Sequence, residues 1–185
     1  MIKETLSKAK SSMEKALEAA QHELASIRTG RASLGLLDTI RVDYYGSALP
    51  LNQVASLGVP EPSLITIQPW DRNMIPVIEK QIRASSLGLN PVNDGVVIKL
   101  PIPQPSEERR KDLVRLARKL GEEARIAVRN VRRDANEHVK KAEKEGEISE
   151  DNSHDAQAEI QELTDHYVRL IDEMLETKEA EIMEV

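Results

Sequence analysis

Apolar and small residues recur at Ile2, Leu6, Ala9, Met13, Ala16, Ala20, Leu24 and Ile27, in steps of three and four. That spacing predicts an amphipathic helix over 2–28, stopped at Thr29-Gly30. A second stripe, Leu113, Ala117, Leu120, Ala124, Ala127, Val131, Ala135 and Val139, predicts a long helix from Ser106 to about residue 145, broken by Gly146. Ser106 suits its N-cap, with Glu107 and Glu108 at the positive end of the helix dipole. A third helix begins after the cap Ser149 and buries Ala156, Ile160, Leu163, Tyr167, Leu170 and Met174. None of these faces is stable alone, so the three helices are expected to pack as a bundle at shallow crossing angles.

Between the first two helices the period changes. Ile40, Val42 and Tyr44 alternate with polar neighbours, a strand that Gly46-Ser47 is expected to end. Leu64-Ile65-Thr66-Ile67 predicts a second strand, and Asn93-Asp94-Gly95 a turn before a third at 96–100. Asp71 or Asn73 is positioned to cap a short helix carrying Val77, Ile78 and Ile82, with Pro76 confined to its first turn. The fold class is therefore α+β: a three-helix bundle, discontinuous in sequence, formed by 1–30 and 105–185, with a small α/β domain, 31–104, inserted. Two linkers, 29–33 and 101–105, serve as the hinge, through Thr29, Gly30, Arg31, Ala32 and Ser33 on one side and Pro101, Pro103 and Pro105 on the other. Gly30 supplies freedom in the first, and the prolines stiffen the second.

Composition narrows the chemistry. There is no Cys among 185 residues, so disulfides and thiolate chemistry are excluded. With no Phe, one Trp and three Tyr, aliphatic side chains must fill the core. No apolar run suits a signal peptide or a membrane span, so the chain is expected to be cytoplasmic and to have no membrane partner. Gly30-Arg31-Ala32-Ser33-Leu34-Gly35 has the glycine spacing of a phosphate loop, but Leu36 and Leu37 stand where Lys and Ser/Thr are required. The pairs Glu18/His22 and Glu162/His166 do not amount to a metal site, and Glu122-Glu123 diverge on a helix. No nucleophile, base and orienting group assemble, so neither enzyme activity nor a cofactor or metal is expected.

The net charge of −6 hides a strong asymmetry. Residues 149–185 carry twelve acidic and two basic side chains, whereas 109–133 carry ten basic and three acidic ones. Arg outnumbers Lys eight to two in the basic stretch, and Arg grips phosphate with two parallel hydrogen bonds. At 100° per residue Arg118, Arg125, Arg129 and Arg132 fall within roughly 60° of one another and more than about 90° from the apolar stripe. They are expected to project outward with few acids among them, and the acidic face of the third helix is expected to be solvated and distant. The competing reading is a plain solvated face. With so few aromatics to stack on bases, phosphate and shape recognition of folded RNA fits better than base readout.

Several strings carry a resemblance that runs from end to end: Ile27-Arg28-Thr29-Gly30-Arg31-Ala32-Ser33, Val42-Asp43-Tyr44-Tyr45-Gly46, Leu87-Gly88-Leu89-Asn90-Pro91, Glu107-Glu108-Arg109-Arg110-Lys111-Asp112-Leu113 and Val128-Arg129-Asn130-Val131-Arg132-Arg133-Asp134-Ala135-Asn136. In these the chain resembles the bacterial-type ribosome recycling factor family. It departs from the residues common in that family at Ser63-Leu64, Ser86 and His154-Asp155. The resemblance implies an L-shaped monomer that binds ribosomal RNA of the large subunit through its bundle and splits post-termination ribosomes with elongation factor G. It implies RNA contacts at Arg129 and Arg132 and, near the hinge, Arg28 and Arg31. With Arg110, Arg118, Arg125 and Arg133 from the basic stretch, these are the candidate RNA-binding residues. The alternative from another class is a helical adaptor that pairs with partner coiled coils.

Overall fold

The computed structural model describes residues 1–184. Its elements divide into two units, Met1–Arg28 with Glu107–Glu184, and Thr29–Ser106. These limits lie two residues from those read off the sequence, and the class is α+β.

The first unit is made of α1 (Ile2–Ala25), α3 (Glu107–Lys144) and α4 (Glu150–Met183). At 1.5 Å per residue the two longer helices extend about 57 Å and about 51 Å. α1 ends three residues short of the predicted end at residue 28, at a Ser26 cap whose Oγ donates to the Glu23 carbonyl at 2.6 Å. Ile27 nevertheless stays buried in the bundle. α3 ends as the sequence predicts, with Gly146 at φ +75°. Glu147 N donates to Ala142 O and Gly146 N to Glu143 O, the paired bonds of a Schellman stop. Ser149 accepts from Asn152 N and starts α4.

Three core layers fix the helix directions. Ala9 lies with Ala135, Val139, Ala156 and Ile160, Met13 and Ala20 with Ala124, Val128, Tyr167 and Ile171, and Leu24 and Ile27 with Leu113, Ala117, Leu175 and Ile182. α3 thus runs antiparallel to both α1 and α4. The buried face of α3 is rotated from the predicted one by roughly 25° toward the arginines. Gly121 and Val128 are buried, while Leu120, Ala127 and Val131 are only half-buried. The cause is close approach: a Cβ on Gly121 would stand 2.9 Å from Leu175 Cδ2. Tyr167 is buried as expected, and its hydroxyl donates to Glu14 Oε1 at 3.0 Å.

The second unit holds a hairpin, β1 (Arg41–Tyr44) with β2 (Ser47–Pro50), and an antiparallel four-stranded sheet. That sheet has the order β3 (Ala55–Glu61), β4 (Leu64–Pro69), β6 (Ile98–Pro101) and β5 (Val92–Asn93). The strand run ends before Gly46, as the sequence predicts, but Ser47 opens a second strand instead of a loop. Tyr45 and Gly46, at φ +49° and +91°, make a two-residue reversal into β2. The third predicted strand begins at Ile98 rather than residue 96, because Asp94 Oδ1 accepts from the amides of Val96 and Val97 and holds them in the turn. Asp71 caps a 3₁₀ turn, Arg72–Met74, that leads into α2 (Ile75–Ala84), with Pro76 in the first turn as required. Val42, Ile65, Ile67, Ile78, Ile82, Ile98 and Leu100 form a core of their own.

The predicted hinge residues fare unequally. Ala32 and Ile102 are buried in this unit's core, Ala32 N donates to Pro62 O at 2.6 Å, and Ile102 N to Ser63 O at 2.8 Å. Pro101 is the last residue of β6, paired with Leu64. Ser33 caps a 3₁₀ turn at Leu34–Leu37. Ala32, Ser33 and Pro101 are therefore parts of the small unit rather than free linker. Gly30 lies against the second linker: its carbonyl accepts from Gln104 Nε2 at 2.9 Å, and a Cβ there would meet Pro105 Cδ at 2.5 Å.

Candidate nucleic-acid interface

α3 carries its arginines along one flank, and α4 lies beside that flank. Two antiparallel helices with side chains at the same seven-residue spacing meet rung by rung. Arg118 Nε donates to Glu179 Oε1 at 2.6 Å. Seven residues on, Arg125 Nη1 meets Asp172 Oδ1 at 2.5 Å, seven residues back on α4. Arg125 Nη2 also meets Glu122 Oε2 at 3.0 Å, and its side chain is only 19% exposed. Burial works against that charge, yet Asp172 and Glu122 outweigh it and hold the guanidinium more firmly protonated than usual. Arg118 is held the same way, by Glu179.

These contacts correct two expectations. The stripe is not short of acids, because α4 supplies them, and Arg125 does not project outward. Nor is the acidic face of α4 distant throughout, since Glu179 and Asp172 point into the arginines. An exposed ion pair contributes little, but Arg125 also packs its stem. Arg125→Ala should therefore cost about 1 kcal/mol, a fall in Tm of roughly 2–4 °C for a chain of this size. The salt dependence of nucleic-acid binding should not change with it. Thermal melts and binding titrations of the one variant check both parts.

The stripe changes character farther along. Arg129 is 47% exposed, and its nearest carboxylate is Glu122 Oε1 at 3.7 Å, a loose contact across two turns. Arg132 Nη1 faces an amide, Gln161 Oε1, at 3.4 Å. Arg133 is exposed and donates to Asn130 Oδ1 at 3.2 Å. Among the described residues neither Arg132 nor Arg133 has a carboxylate within ion-pair distance. Asn136 lies on the same flank one turn beyond, with Oδ1 buried and unpartnered, and no sequence pattern singles it out. This distal half of α3 can therefore offer two or three guanidinium groups to an anion.

Of the other candidates, Arg28 and Arg110 belong to the opposite end of the bundle, and Arg31 belongs to the second unit. Arg28 is exposed just beyond α1, and Arg31 is exposed in the second unit. Arg110 is half-buried in the first turn of α3, with Nε enclosed and unpartnered. Among the described residues of the first unit, no exposed aromatic ring accompanies the stripe. Tyr167 is buried, and the exposed Tyr45 and Trp70 stand in the second unit, where the Tyr45 hydroxyl donates to Asp71 Oδ2 at 2.8 Å. Without a stacking platform in their own unit, the distal arginines suit phosphate rather than bases. No helix among the described residues is long and apolar enough to cross a membrane.

Comparison with known proteins agrees in sequence and in fold. The family described as ribosome recycling factor matches residues 20–183. A ribosome-recycling factor of Rubrobacter xylanophilus is 55% identical over 180 residues, 97% of each chain. That of Bacillus pumilus is 53% identical over 185 residues, the whole of both chains. A solution structure of a ribosome recycling factor aligns with a TM-score of 0.68 at 46% identity, covering 100% of this chain and 98% of that one. A second structure describes models for the Thermus thermophilus ribosome recycling factor and the Escherichia coli elongation factor G bound to the E. coli post-termination complex. It aligns at 47% identity with a TM-score of 0.61, covering 100% of both chains.

Proposed function

The chain belongs to the ribosome recycling factor family, and from that premise we propose that it binds the post-termination ribosome and, with elongation factor G, promotes its splitting and release from mRNA. It acts by binding, not by catalysis, and works as a cytoplasmic monomer without a cofactor. The observation that carries the RNA-binding part is the distal half of α3. There, among the described residues, Arg132 and Arg133 lack carboxylate partners and Arg129 has only a loose one. Charge left unpaired on a rigid helix is what a phosphate backbone can use. Arg129, Arg132 and Arg133 are assigned to ribosomal RNA, with Arg28, Arg31 and Arg110 as outlying contacts. Arg118 and Arg125 are assigned to holding α3 against α4.

The small unit is assigned to elongation factor G. The chain passes between the units twice, at 28–29 and 106–107, and Thr29, Gly30, Pro103 and Pro105 are left as the hinge. The reading is tested by sedimenting the purified protein with isolated large ribosomal subunits. Co-sedimentation that weakens as salt rises supports it, and a protein that stays in the supernatant at low salt contradicts it. A helical adaptor that pairs with coiled coils has no comparable feature in its favour.

A further inference from the structure

The seven-residue ladder between α3 and α4 has a third rung that does not close. After Arg118 with Glu179 and Arg125 with Asp172, the same step along both helices brings Arg132 to the level of Asp165. A third ion pair would leave Arg132 no freer than the other two. Instead Gln161, one turn before Asp165 on α4, stands between them. Its Nε2 donates to Asp165 Oδ1 at 2.8 Å, and its Oε1 accepts from Arg132 Nη1 at 3.4 Å. The amide's polarity permits only this orientation. Turned over, Nε2 would face the guanidinium donors and Oε1 the carboxylate. The first two rungs are carboxylate contacts at 2.6 and 2.5 Å, while the third is a long bond to a neutral oxygen.

We propose that Gln161 is a positioning residue that holds Asp165 away from Arg132, so that this guanidinium keeps its charge for an RNA phosphate. The inference rests on the assignment of the distal arginines to ribosomal RNA. It explains why one helix pair uses the same side-chain types for two purposes: where the acid reaches its arginine the helices are clamped together, and where an amide intercepts the acid the arginine stays available. It also makes affinity depend on α4, through an amide and a carboxylate rather than through a cation of its own at the contact. The lever is a competition, since Asp165 and the phosphate want the same guanidinium.

Gln161→Ala removes the amide and lets Asp165 pair with Arg132. An exposed pair of this kind is worth up to about 1 kcal/mol, so binding to large ribosomal subunits should weaken by up to about fivefold at low salt. Its dependence on salt should become shallower, as one guanidinium is withdrawn from phosphate. The decisive arm is Gln161→Ala with Asp165→Asn, which removes the competitor. It should restore binding to the wild-type value or better, and a merely structural role for Gln161 gives no reason for such rescue. Arg132→Ala is measured beside them. If Arg132→Ala weakens binding but Gln161→Ala does not, the proposal is overturned and the arginine face stands. Weakening that Asp165→Asn fails to rescue overturns it too, because Gln161 then acts on RNA directly or through the fold. If Arg132→Ala binds normally, the arginine assignment itself fails and takes the proposal with it. Should Gln161→Ala lower Tm, the double variant still decides: equal binding by the two folded fractions overturns the proposal.

Discussion

Arg129→Glu with Arg132→Glu should reduce binding to large ribosomal subunits about 100-fold or more, while Tm falls by no more than about 4 °C. A hydrogen bond to a charged group contributes about 1.5–3 kcal/mol where it is made, so two lost phosphate contacts suffice, and two new carboxylates add repulsion. The fold has little at stake by comparison. Arg129 is 47% exposed with one contact of 3.7 Å, and Arg132 gives up a single long bond to an amide. Sedimentation at several salt concentrations together with thermal melts separates the two effects. Normal binding by the double variant would mean that the distal arginines are merely solvated. An unfolded variant would mean that their stems carry more of the bundle than their contacts indicate.

The second large effect divides labour between the units. Replacing Thr29–Ser106 by a short flexible linker should leave a helical protein that still sediments with large subunits. It should support no splitting with elongation factor G. The bundle's three core layers draw only on α1, α3, α4 and their flanking residues, and none includes a residue of the excised unit. The chain leaves and re-enters the bundle at the same end, where Ile27 and Leu113 share one layer, so a flexible linker can join it. Circular dichroism and the splitting rate are the two readings. Wild-type splitting by the shortened chain would remove the small unit from the mechanism, and loss of helix would show that the bundle depends on it.

The long helices were legible because burial on a helix repeats every three or four residues, and the stop at Gly146 and the start at Ser149 follow from local backbone and capping chemistry. The phase of α3 was less legible. Gly121 carries no hydrophobic signal yet is buried, and on the other helices Thr5, Ser153 and Thr164 are buried too. Such positions are small or satisfy themselves locally, as Thr164 Oγ1 does by donating to Ile160 O at 2.8 Å. In the small unit β3 went unread because Gly58 and Pro60 interrupt its pattern, and β2 because Ser47-Ala48 offers no apolar face. What most changed the candidate site was invisible along the chain. Asp172 lies 47 residues from Arg125, and Glu179 lies 61 from Arg118. Only the antiparallel register of α3 and α4 tells which arginines are already neutralised, and no local pattern in either helix sets that register.

Splitting of post-termination ribosomes, followed by light scattering with elongation factor G and GTP present, tests the assigned function most directly. With the purified chain added, scattering should fall as ribosomes separate into subunits. Without the chain, or without elongation factor G, it should stay level. A trace that stays level with all components present, under conditions where the chain binds large subunits, would contradict that function.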